Sequence, residues 1–129
     1  MRAYFGRRYR FSASHRLHSD ALSAEENRAV YGKCNNPHGH GHNYILEVRV
    51  GGEVDAETGK LDAVVRKEVL DVFDHTNLNA QECFRDRVPT TENVCREIFR
   101  RMREGFDAAD IVAVRVEETS NNSFEIRED

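Results

Sequence analysis

Eleven consecutive positions, Cys34 to Tyr44, read CNNPHGHGHNY and hold one thiol, three histidines and two glycines. Beyond Asn43 the chain alternates, with Tyr44, Leu46, Val48 and Val50 set against Ile45, Glu47 and Arg49. That is strand periodicity. A strand beginning near His40 puts His40 and His42 on one face, because side chains two apart project the same way. Their attachment points then lie about 6–7 Å apart, two strand rises. Two imidazoles so spaced can converge on one zinc ion through Zn–N bonds of about 2.0–2.1 Å. Gly39 and Gly41 leave the flanking backbone bare where a ligand would approach.

Taken alone, HGH also fits a polar turn leading into a strand, with its histidines bonded to backbone. A third candidate lies upstream. Tyr9, Phe11, Ala13 and His15 share one parity, so His15 ends an apolar strand face just as His42 begins another. Cys34 precedes His40 by six residues. Together these favour a metal centre, and three protein ligands with a fourth position open is the pattern of a catalytic zinc.

The elements that must position these groups follow from the pattern of the chain. Residues 2–14 read as a first strand and Leu17 to Asp20 as a loop. Ser23 and Glu26 form a capping-box signature, which predicts a short helix over 24–31 ended by Gly32. A second strand is expected from about His42 to Glu53, then a turn over Asp55 to Gly59. Asp62 is expected to cap a helix carrying Leu61, Val65, Val69 and Val72 and stopping near Phe73. The polar stretch Asp74 to Asn79 is too short for regular structure. Pro89-Thr90-Thr91 opens a second main helix with Val94, Ile98 and Met102 on one stripe, stopped by Gly105. Ile111–Glu118 alternates as a third strand, and after a turn at Asn121-Asn122 a short fourth covers Phe124 to Arg127. The order predicts an α+β fold, a four-stranded antiparallel sheet with two main helices on one face. Short exposed strand edges make self-assembly plausible.

At 129 residues the chain is expected to be one domain, residues 1–129. Charged residues make up 33% against 39% hydrophobic, a solvated surface around a modest core. A net charge of −4 without a dense basic run argues against nucleic acid as a partner. The cluster Arg7, Arg8, Arg10 and Arg16 is read as a solvated strand face. No apolar run reaches the roughly 18 residues of a membrane span, and no signal-peptide core is present. With three cysteines (Cys34, Cys83, Cys95) in no disulfide-framework spacing, the expected location is cytoplasmic.

The blocks SASHRLHS (Ser12–Ser19), LSAEEN (Leu22–Asn27), GKCNNPHGHGHNY (Gly32–Tyr44), DHTNLN (Asp74–Asn79), PTTENV (Pro89–Val94) and VEETSNN (Val116–Asn122) run in order through nearly the whole chain. In this the sequence resembles the 6-pyruvoyl-tetrahydropterin synthase family. The resemblance implies the tunnelling fold, in which trimers close their sheets into a barrel and two trimers stack as a homohexamer. It implies elimination of triphosphate from 7,8-dihydroneopterin triphosphate, a small-molecule pterin substrate, with side-chain rearrangement to 6-pyruvoyl-tetrahydropterin. The family's zinc ligands match His15, His40 and His42, its catalytic cysteine matches Cys34, and its Asp–His pair matches Asp74 and His75. Its pterin-anchoring glutamate matches Glu118, which precedes Thr119-Ser120-Asn121-Asn122. Thr90 and Thr91 match the pair beside the pterin pocket. In the family these groups meet across a subunit boundary.

Such residue types suit that chemistry. Zinc on three neutral imidazoles can take side-chain hydroxyl oxygens of the substrate as ligands and polarise them as a Lewis acid. A base must then remove a proton from carbon. Cys34 is the candidate, and with a free-thiol pKa of about 8.5 it needs a nearby cation or metal to ionise near neutrality. Asp74 beside His75 offers an acid–base relay. Glu118 shares parity with Val112, Val114 and Val116, so its carboxylate points to the face those valines bury, where it needs a partner. A pterin's amino group and ring N–H can meet it bidentately. A plain strand-end glutamate at the surface is the other reading of that position.

His38 and His18 are read as loop histidines, Cys95 as a small core residue, and Arg96, Arg100, Arg101 and Arg103 as a solvated helix face. Cys83 has no identifiable partner. Two alternatives stand beside the pyruvoyl-forming enzyme. One is a 6-carboxy-tetrahydropterin synthase of queuosine biosynthesis, in which the gap between cysteine and histidine is typically shorter than Cys34-x5-His40. The other is a non-catalytic zinc or pterin-binding module.

Overall fold

In the computed structural model, which describes residues 3–51, 58–107 and 110–128, two long strands carry the first two sequence signals. Strand β1 (Phe5–His15) and strand β2 (His40–Val50) form an unbroken antiparallel ladder from Phe5↔Val50 to His15↔His40. Phe11, Ala13 and His15 in β1 and Tyr44, Leu46, Val48 and Val50 in β2 are buried, and the alternate positions are not. The period-2 pattern thus sets which face becomes the core. Between the two strands lie helix α1 (Ala24–Tyr31) and a 3₁₀ turn, Gly32–Asn35. The expected capping box is present, Glu26 N–H donating to Ser23 Oγ at 3.1 Å and Ser23 N–H to Glu26 Oε1 at 2.9 Å. A cap of this kind contributes about 1 kcal/mol.

Helix α2 (Thr58–Val65) passes through a π turn, Arg66–Leu70, into a last helical turn, α3 (Asp71–Phe73). The helix begins ahead of Asp62, so Asp62 is not its cap. Its carboxylate instead accepts from the Tyr9 hydroxyl at 2.6 Å and pairs with Arg7 at 3.0 Å. Leu61, Val65, Val69 and Phe73 are buried, whereas Val72 is partly exposed. Positions four apart drift about 40° per step around an ideal α-helix. The wider π turn takes up that drift and keeps Phe73, rather than Val72, on the core face.

The predicted irregular stretch after Phe73 contains a two-residue strand β3 (Thr76–Asn77), parallel to β1, and a 3₁₀ turn, Leu78–Ala80. Helix α4 (Thr91–Gly105) buries Val94, Ile98 and Met102 as expected, and also Cys95 and Glu97. Strands β4 (Ile111–Thr119) and β5 (Asn122–Arg127) close the chain. The sheet is therefore five-stranded and mixed, in the order β3-β1-β2-β4-β5, where the periodicity predicts four antiparallel strands. Two residues cannot display an alternation, so β3 leaves no pattern to read. Helices α2 and α4 pack on the face built from Phe11, Leu46, Val48, Val114 and Val116, which places both main helices on one side. The second strand ends at Val50, short of Glu53; the rest of that expectation and most of the predicted turn at Asp55–Gly59 lie outside the described residues. No described helix is long and apolar enough to cross a membrane.

Candidate metal centre

The end of the β1–β2 ladder is where the histidines collect. His15 sits opposite His40, and Ala13 opposite His42, so His15 and His42 are diagonal neighbours on the same face. The three rings stand edge to face with centroids 5.0 Å (His15–His40), 4.9 Å (His15–His42) and 4.6 Å (His40–His42) apart. Their close approach follows from the turn before β2. Gly39 has φ of 70°, and a Cβ there would lie 2.9 Å from the His15 carbonyl oxygen, so only glycine lets the turn close on β1. The 3₁₀ turn brings Cys34 to the same point, its carbonyl accepting from Leu17 N–H at 2.7 Å while the buried Asn35 amide donates to Leu17 O at 2.7 Å. Cys34 Sγ lies 3.5 Å from His40 Nε2.

Strand β4 supplies the fifth member. Glu117 lies opposite Ile45, and Glu118 turns inward with Val114 and Val116, its side chain 11% exposed. Its Oε1 is 2.7 Å from His42 Nε2 and 3.7 Å from His15 Nε2, and its Oε2 accepts from the Thr91 hydroxyl. Donor atoms of His15, Cys34, His40, His42 and Glu118 all lie within 4.8 Å of one another.

His15 is the most constrained of these. It is 1% exposed, and its Nδ1 meets the Pro89 carbonyl at 3.0 Å and the Tyr44 hydroxyl at 3.2 Å. A carbonyl can only accept, so Nδ1 carries the proton and Nε2 presents a lone pair. That Nε2 is buried without a hydrogen bond, the Glu118 oxygen being too distant. Burial depresses the His15 pKa to about 4 against the opposing pull of the Pro89 bond and the Glu118 charge, which keeps the ring neutral, the form that ligates. His42 is shifted down for the same first reason, Glu118 opposing it and His40 adding to it. Burial, then the Glu118 charge, raises the Cys34 thiol. An orphaned imidazole nitrogen among two further imidazoles, a thiol and a carboxylate is a donor set that suits a divalent ion of borderline softness.

The expected site residues divide into two places. His15, His40, His42, Cys34 and Glu118 come together, the last four lining a cavity of about 740 Å³ with cations at Arg16, Arg28 and Lys33. Thr91 reaches the cluster through Glu118, while Thr90 caps α4 by accepting from Asn93 N–H at 3.1 Å. Asp74 and His75 pair at 3.1 Å outside the five-donor cluster: His75 lines a second cavity, of about 400 Å³, with Ser12, Ser14, Asn43 and His42, so that His42 borders both cavities. There the pair is clamped onto β1, Ser12 N–H donating to Asp74 Oδ1 at 2.8 Å and His75 N–H to Ser12 O at 2.6 Å. His75 adopts φ of 60° although it is not glycine, and its side chain is 79% exposed. A non-glycine residue held there costs roughly 1–3 kcal/mol, and such strain gathers at functional positions.

Sequence reasoning misses the groups that orient His15. Tyr44 shares parity with His42, a usable signal, but a carbonyl such as that of Pro89 leaves none. His38 is exposed, His18 accepts an amide proton from Asn35 at 3.0 Å outside the cluster, and Cys95 is buried. The arginines of α4 are not simply solvated, since Arg100 and Arg101 bind the buried Glu97.

The sequence matches the family model described as 6-pyruvoyl tetrahydropterin synthase over residues 4–129. It is 44% identical over 126 residues to a 6-pyruvoyl tetrahydrobiopterin synthase of Poecilia reticulata, covering 92% of this chain and 86% of that one. A putative 6-carboxy-5,6,7,8-tetrahydropterin synthase of Archaeoglobus fulgidus is 34% identical, with 84% and 91% covered. The solved 6-pyruvoyl tetrahydropterin synthase of Caenorhabditis elegans superposes with a TM-score of 0.84 at 40% identity, covering 100% of this chain and 99% of that one.

Proposed function

The chain belongs to the 6-pyruvoyl tetrahydropterin synthase family, and from that premise we propose that it is a zinc-dependent carbon–oxygen lyase eliminating triphosphate from 7,8-dihydroneopterin 3'-triphosphate. The product is 6-pyruvoyl-tetrahydropterin, formed in a tetrahydrobiopterin-type pathway in the cytoplasm. The observation that carries this reading is the buried, unpartnered Nε2 of His15 facing His40, His42, Cys34 and Glu118.

His15, His40 and His42 would hold the zinc ion through ring nitrogens. When bound, it supplies Lewis acidity toward the hydroxyl oxygens of the substrate's side chain and positive charge beside the Cys34 sulfur. Glu118, held by Thr91, accepts hydrogen bonds from the amino and ring N–H groups of the pterin, with Thr90 beside it. Cys34 takes a proton from a side-chain carbon as the triphosphate leaves. His75, oriented by Asp74, returns protons to the rearranging side chain. In one chain His75 does not line the cavity that holds Cys34. In a homohexamer of two stacked trimers a neighbouring copy would bring its own Asp74–His75 to this cluster, so that the active sites lie at subunit interfaces.

Incubation with dihydroneopterin triphosphate tests the reading. Triphosphate release together with the 6-pyruvoyl product is the expected result, abolished by chelation and restored by zinc. The 6-carboxy product would move the chain to the queuosine-type branch. Tight zinc binding without turnover would mark a non-catalytic module.

A further inference from the structure

The carbonyl that meets His15 Nδ1 belongs to a loop, so its position has to be enforced from outside. Two groups face that nitrogen, the Pro89 carbonyl at 3.0 Å and the Tyr44 hydroxyl at 3.2 Å. They differ chemically, because a carbonyl only accepts while a hydroxyl also donates. With the carbonyl in place the ring proton stays on Nδ1 and Nε2 keeps its lone pair. With the carbonyl withdrawn, the Tyr44 hydroxyl can donate to Nδ1. The proton then moves to Nε2, the nitrogen that faces the cluster, and closes it to a cation. The tautomer of a ligating histidine is set by what its other nitrogen bonds.

What keeps Pro89 there is visible two residues upstream. Arg87 Nη2 donates to Glu97 Oε2 at 3.0 Å, and the Glu97 side chain is 3% exposed. Asn93 Nδ2 donates to Val88 O at 2.8 Å, and Thr90 N–H donates to the same oxygen at 2.8 Å. Glu97 also binds Arg100 and Arg101, but both lie on its own helix. Of these three arginines only Arg87 comes from outside α4, so its bond to Glu97 ties the loop to the helix, as the Asn93–Val88 bond does. We propose that Arg87 and Glu97 are a positioning pair for the metal centre: through Val88 and Pro89 they fix the Nδ1–H tautomer of His15 and with it the affinity of the site for zinc. This rests on the zinc reading above, and no residue of the pair lies among the five donors.

The test compares Arg87→Ala, Arg87→Lys and Arg100→Ala with the wild type. Zinc dissociation constants come from chelator competition, and the His15 tautomer from ring nitrogen shifts in metal-free protein labelled with ¹⁵N-histidine. Arg87→Ala should weaken zinc binding roughly 10-fold, as loss of groups that orient ligating histidines does, and should move the His15 proton toward Nε2. Arg87→Lys should restore much of both. Arg100→Ala should lower stability and leave tautomer and affinity as they are. A folded Arg87→Ala protein with the wild-type tautomer and zinc affinity would overturn the proposal. Should that variant fail to fold, Asn93→Ala loosens the same loop from the α4 side and is read the same way. A wild type that binds no zinc would overturn the metal reading instead, and the tautomer measurement would still decide whether Arg87 positions His15.

Discussion

Replacing Thr91 by valine isolates one hydrogen bond of the site. The hydroxyl of Thr91 donates to Glu118 Oε2, and the glutamate side chain is only 11% exposed, so water cannot replace the bond freely. Valine keeps the branched shape, its helix propensity is close to that of threonine, and Thr90 remains as the cap of α4. A hydrogen bond to a charged group contributes about 1.5–3 kcal/mol, equivalent to roughly 10- to 100-fold in binding. Without it Oε2 loses the donor that fixes the orientation of the carboxylate. Pterin binding should therefore weaken by that factor while metal content is unchanged. Fluorescence titration with a reduced pterin lacking the triphosphate measures the first, and elemental analysis the second. A dissociation constant within twofold of wild type, in a folded protein with its metal, would refute the view that Thr91 aims Glu118 at the pterin.

Cys34→Ala should retain zinc and lose roughly 10²–10⁴-fold in turnover, the contribution of a positioned base; normal turnover would remove Cys34 from that role. His75→Gly relieves a left-handed backbone, so thermal stability should stay level or rise while activity is lost, read by a melting curve beside the assay. Glu97 titrates below the usual carboxylate range: burial alone would raise it, but the hydrogen bonds and charges of Arg100 and Arg101 outweigh burial. As pH falls, the unfolded chain takes up this proton first. The stabilisation is therefore complete above about pH 5 and erodes as pH drops through 4 and below. Urea unfolding across that range should show a steeper loss for wild type than for Glu97→Gln, and parallel curves would contradict it.

Part of this molecule is already determined by the order of its residues. Strand side chains alternate with period two, so the parity of His15 with Phe11 and of His42 with Tyr44 places the histidines on the buried face before any contact is known. The Ser23–Glu26 cap is equally local, since its two bonds close within one turn. Other features require the chain to return on itself. Strand β3 is two residues long and exists only because β1 offers it an edge. Glu118 meets Thr91, and Pro89 meets His15, across 27 and 74 residues. Through-space bonds of that kind leave no periodicity, and a backbone carbonyl leaves no residue type to recognise. Sequence therefore determined which side chains could ligate, and tertiary structure decided which nitrogen of His15 is free to do so.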